Sequence, residues 1–72
     1  MDIRIRLGLR IKQVRTDKGM SQKDLAYEAD LDRSYIASVE NGQRNVSIVN
    51  IEKMAKALGV SLRTLFRHAD FD

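Results

Sequence analysis

Seventy-two residues with no cysteine and no proline, carrying 13 Lys or Arg against 10 Asp or Glu for a net charge of +3, fit one small domain spanning residues 1–72. Disulfides and thiolate metal sites are excluded, no metal site is expected around the lone His68, and no apolar run reaches the length of a membrane span. With no glycine-rich phosphate loop and too little chain to enclose a substrate, neither an enzyme nor any cofactor or small-molecule ligand is expected.

So small a core is marginal alone, so a well-packed helical interior plus dimerisation is the expected source of stability. The N-terminus lacks a secretory apolar region, so a soluble cytoplasmic protein is expected. Charge is unevenly spread. Residues 1–18 hold six basic side chains (Arg4, Arg6, Arg10, Lys12, Arg15, Lys18) against Asp2 and Asp17, whereas residues 19–30 hold Lys23 against Asp24, Glu28 and Asp30. A basic segment beside an acidic one does not suit a purely electrostatic, sequence-blind binder of polyanions.

The first helix is expected over about residues 3–18, with the apolar stripe Leu7, Ile11 and Val14 at i, i+4, i+7 and Gly19 closing it. Residues 3–7 alternate apolar and basic, so this start also fits an extended arm; helix is favoured from about Ile5. Gly8 costs a helix roughly 1 kcal/mol against alanine, which points to a neighbouring element packed close by.

Residues 21–42 carry the strongest pattern. Ser21 can cap a second helix, with Asp24 returning the bond, and Leu25, Ala26 and Ala29 form its buried face. The small Ala26 admits a close helix crossing. Asp30-Leu31 makes a turn, Leu31 plugs the corner, and Asp32 is expected to cap a third helix that buries Ile36 and Val39 while exposing Arg33, Ser34, Tyr35 and Ser38. Asn41-Gly42 supplies a left-handed terminator. Two short helices meeting near a right angle, the second with a polar N-terminal face, describe a DNA-reading helix-turn-helix over about residues 22–41.

Gln43-Arg44-Asn45-Val46 is a polar connection to a fourth helix, capped by Ser47, with Ile51, Met54, Ala55 and Leu58 as core face. Gly59 ends it, Val60 packs back, and Ser61 caps a short fifth helix with Leu62, Leu65 and Phe66. The tail, residues 69–72, is expected to be loose, except that Phe71 can tuck against the body or a partner. The fold class is therefore all-α, a compact five-helix bundle.

Arg33 is the first candidate for base recognition, because its guanidinium fork matches guanine O6 and N7. Ser34 and Ser38 can bond a base edge or a phosphate, and Tyr35 can meet a thymine methyl or donate its hydroxyl. Gln22 stands where helix N–H groups and an amide can receive a phosphate, and Asn41, Arg44 and Asn45 are further phosphate candidates. Glu40 is awkward, since its carboxylate faces both a helix C-terminus and DNA. Leu62, Leu65, Phe66 and Phe71 supply more apolar surface than one short helix needs, the mark of an isologous dimer interface; Leu62 and Leu65 are expected mainly inward and Phe66, with Phe71, outward.

Gln22, Ala26, Leu31, Ile36 and Val39, followed by Glu40-Asn41-Gly42, resemble the signature of the Cro-like (Xre-type) helix-turn-helix regulators, over about Leu7 to Phe66. Within that family, the run Leu31 to Asn45 is similar to restriction–modification controller proteins. The resemblance implies a lambda-repressor-like DNA-binding domain, working as a homodimer on a palindromic operator upstream of its own gene. It also implies a structural ion pair between Arg15 and Glu40, and a nucleoid-associated regulator for which RNA polymerase is a candidate partner at the acidic helix. Where the family often has glycine, this chain has Asp30, a residue that tolerates positive φ. The rival is an antitoxin or protein-interaction adaptor built on the same fold.

Overall fold

A computed structural model describes residues 1–68 and 71; the expectation for 69, 70 and 72 lies outside the described residues. The described residues form five α-helices: α1 (Ile3–Asp17), α2 (Gln22–Ala29), α3 (Arg33–Glu40), α4 (Ile48–Ala57) and α5 (Leu62–Phe66).

Serine caps start three of them. Ser21 accepts from the Asp24 N–H while the Asp24 carboxylate accepts from the Ser21 N–H at 2.9 Å, a complete capping box. The Ser21 backbone N–H, and after it the Ser21 side chain, hold the Asp24 carboxyl below its usual range. Ser47 and Ser61 accept from Asn50 and Thr64 in the same way. Two starts differ from expectation. Helix α1 begins at Ile3, two residues earlier than favoured, because Asp2 caps it through the Arg4 N–H at 2.7 Å. Asp32 occupies the cap position of α3 with extended backbone, but its side chain makes no capping hydrogen bond.

A left-handed residue follows each of α1 to α4: Gly19, Asp30, Gly42 and Gly59. At Asp30, φ is 56°, and the Leu31 N–H returns to Ala26 O at 2.9 Å, which swings the chain from α2 into α3.

Each helix places at least one side chain fully out of solvent: Ile11, Leu25, Ile36 with Val39, Met54 and Leu65. Leu7, Val14, Ala26, Ala29, Ile51, Ala55 and Leu58 complete the core, with Leu31 and Val60 packed at its edge. Helix α3 lies between α1 and α2, α4 closes over α2, and α5 bridges α1 and α4. Gly8 sets the closest approach: a Cβ there would meet the carbonyl oxygens of Val39 and Glu40, the latter at 2.7 Å. Among the described residues, no helix is long and apolar enough to cross a membrane.

Candidate nucleic-acid interface

The N-terminal end of α3 projects its polar side chains from a firmly held helix. Arg33 and Ser34 are exposed there, and no ion pair joins Arg33 to Asp32 among the described residues. Ser38, one turn on, donates its hydroxyl to Tyr35 O at 2.7 Å and accepts from Arg44 Nε at 3.0 Å. The Arg44 guanidinium also lies over the Tyr35 ring, 5.3 Å from its centroid, a cation–π arrangement. Tyr35 is half-buried, and its hydroxyl oxygen accepts from Asn50 Nδ2 at 3.0 Å. The structure thus ties the loop after α3 and the first turn of α4 to α3. Asn41 and Asn45 are exposed at the far end of α3 and in that loop.

The opposite end of α3 is anchored. Arg15 Nε donates to Glu40 Oε2 at 2.7 Å and Arg15 Nη2 to Oε1 at 2.9 Å, a bidentate pair with both residues buried. The third arm, Nη1, donates to Met20 O at 2.8 Å, so one guanidinium fastens the α1–α2 connection to the end of α3. Hydrogen bonding to Glu40 raises the Arg15 pKa further above its ordinary value. Gln22 Nε2 donates to Glu40 Oε1 at 3.1 Å, joining the start of α2 to the same carboxylate. Oriented donors thereby offset the penalty of an anion at the C-terminal end of α3.

The helix-turn-helix family pattern matches residues 11–65, with the α2–turn–α3 unit at its centre. The chain belongs to the helix-turn-helix family. It is 50% identical over 66 residues, 90% of this chain and 89% of the relative, to the control protein C.MunI of a Mycoplasma species. The crystal structure of the restriction-modification controller protein C.AhdI from Aeromonas hydrophila superposes with a TM-score of 0.85 at 52% identity, covering 88% of this chain and 96% of that one. The controller protein C.Esp1396I, solved as a tetramer in complex with its natural 35 base-pair operator, gives a TM-score of 0.87 at 39% identity over 92% of this chain and 87% of that one. Within the helix-turn-helix family, the chain resembles these restriction–modification controllers.

Leu65 is entirely inside the core, packed beneath α1 and α4, and is therefore removed from the candidate dimer surface. Leu62 is half-buried against the same core. Phe66 is half-buried and meets the Phe71 ring edge-on, with centroids 5.1 Å apart. Beside Phe66 runs an open groove of about 390 Å³ lined by Ile3, Leu7, Val46 and Ile51, with Arg4 and Arg44 at its rim. The sequence reading missed Ile48 and Val49, which are 65% and 60% exposed in the first turn of α4. They fall off that helix's core stripe, which was the available signal. Arg10, one of the basic segment's side chains, is engaged within the domain: its Nε and Nη2 donate to Leu65 O and Thr64 O at 2.7 and 2.9 Å, capping α5.

Proposed function

We propose that the chain is a sequence-specific double-stranded DNA-binding transcriptional regulator, acting as a homodimer on a palindromic operator and controlling restriction–modification genes, its own included. The observation that carries this reading is the exposed Arg33–Ser34 end of a helix whose other end is locked by Arg15 and Glu40. A rigid helix keeps its guanidinium in register with a base edge, and Arg33 presents the fork that guanine O6 and N7 accept. Gln22, at the start of α2, and Asn41, Arg44 and Asn45, beyond the last residue of α3, suit phosphate contacts, which set orientation without reading sequence. The operator-bound C.Esp1396I structure supports the same use of the fold.

Such a regulator works in the cytoplasm, on the nucleoid. The acidic flank of α2, with Glu28 and Asp30 beside Tyr27 at 83% exposure, fits a basic partner such as RNA polymerase once DNA is bound.

The test is selection of duplexes from a randomised library. Arg33→Ala should weaken specific binding by about 1–3 kcal/mol per half-site and flatten preference at one base position. Gln22→Ala should weaken all sequences alike. Unchanged base preferences in Arg33→Ala would refute the assignment.

A further inference from the structure

We propose that Asn50, on α4, is a positioning residue that sets the phenol of Tyr35 as a hydrogen-bond donor toward DNA; the inference rests on the DNA-reading role of α3. A phenolic oxygen can accept a hydrogen bond while donating its own proton elsewhere. Asn50 Nδ2 donates to that oxygen at 3.0 Å, which fills the accepting side and leaves the proton to point away from α4. Asn50 is itself held, since its backbone N–H is capped by Ser47 Oγ at 3.1 Å. Arg44 lies over the ring and is tethered to Ser38, which restricts the ring on its face. With its ring under Arg44 and its oxygen held by Asn50, the phenol turns its proton toward an acceptor of the duplex. That acceptor is a base edge (guanine O6 or N7, adenine N7, thymine O4) or a phosphate oxygen.

The consequence is that a residue outside the helix-turn-helix unit fixes which hydrogen-bonding face the unit shows. An aspartate at position 50 can only accept, so it would capture the phenol proton and leave the hydroxyl unable to donate to DNA.

The experiment uses duplexes selected by the wild-type chain and compares N50A, Y35F and N50A/Y35F, with thermal midpoints recorded to confirm folding. Y35F and N50A should each lose about three- to tenfold in affinity, and the double variant should lose no more than Y35F alone. Loss at one base position identifies a base acceptor; uniform loss over all sequences identifies a phosphate. N50D should cost more in the wild-type background than in the Y35F background, which separates proton capture from charge repulsion. Additive losses, a Y35F chain that binds like wild type, or an N50A chain with a lowered midpoint and intact binding would overturn the inference while leaving the reading of α3 in place. A wild-type chain that selects no sequence would overturn that reading and this inference together.

Discussion

Arg15 and Glu40, 25 residues apart, close a two-pronged ion pair between α1 and the last residue of α3. Their side chains are 10% and 3% exposed, so neither charge is repaid by water if the other is removed. Arg15→Ala or Glu40→Ala should each cost about 3–5 kcal/mol of folding stability, a large fraction of what a domain this size holds. The double variant should cost clearly less than the two single losses combined. Urea unfolding of the four chains gives the coupling, and a value near zero would show that the pair does not join α1 to α3 in solution.

Gly8 lies on the same face of α1 as Arg15, two turns earlier, against the same end of α3. Alanine is the better helix former by about 1 kcal/mol, which taken alone predicts stabilisation. The new Cβ would instead press on the carbonyls of Val39 and Glu40, and backbone cannot swing aside as a side chain can. Overpacking of this kind costs about 1–3 kcal/mol, so Gly8→Ala should lower the melting midpoint. A raised midpoint would mean that α1 and α3 stand further apart than this packing.

Asp2 and Arg4 close the first turn of α1 through a carboxylate that accepts from the Arg4 N–H and from its guanidinium, Nη2 to Oδ2 at 2.8 Å. These bonds, the side-chain one first, lower the Asp2 pKa from 3.8 to about 2. Because the folded value is depressed, the contribution of the cap is complete above the unfolded value. It fades as pH falls through about 2, where the folded carboxylate finally takes its proton. The protection of amides 4–6, taken relative to the intrinsic exchange rate at each pH, should therefore be intact at pH 4 and fall toward pH 2. Asp2→Ala should show the lowered protection already at pH 4. A cap insensitive to both changes would place the start of α1 beyond Asp2.

What the sequence made legible was local. Ser21, Ser47 and Ser61 mark helix starts by chemistry within three residues, and Asp30 marks the left-handed corner because few side chains accept that backbone. Asp2 offers the same kind of signal, but the alternating Ile and Arg residues after it imitate a strand and mask the true start at Ile3. Asp32 shows the converse, a good capping residue in the right place whose side chain makes no cap. The links from Arg10 to α5 and from Asn50 to Tyr35 span 55 and 15 residues. No periodicity encodes them; they follow from how the helices cross. In the candidate site, Arg33 was legible as an exposed polar end, whereas the half-burial of Tyr35 depended on where α4 would pass.

Leu65 and Phe66 are adjacent in sequence and opposite in role, and that contrast tests the dimer. Leu65 is wholly inside the core, so Leu65→Ala should cost about 2–5 kcal/mol of folding stability whatever the oligomeric state. Phe66 instead borders the apolar groove with Val46 and Ile51, and the helix that carries Ile51 also exposes Ile48 and Val49 in its first turn. Apolar surface of this kind on so small a domain is best covered by a second copy, which a two-fold axis would seat on the same residues. A single α3 offers few base contacts, and pairing two copies supplies the second half-site that selecting one operator in a genome requires. The two α3 helices would then lie about 34–36 Å apart, one turn of B-DNA. Phe66→Ala should leave the helical content near that of the parent chain, shift the monomer–dimer equilibrium toward monomer, and make operator binding steeply dependent on protein concentration. Sedimentation equilibrium and gel shifts over a protein titration read both effects. A parent chain that sediments as a monomer at micromolar concentration, yet binds an isolated half-site as tightly as a full operator, would rule the dimer out.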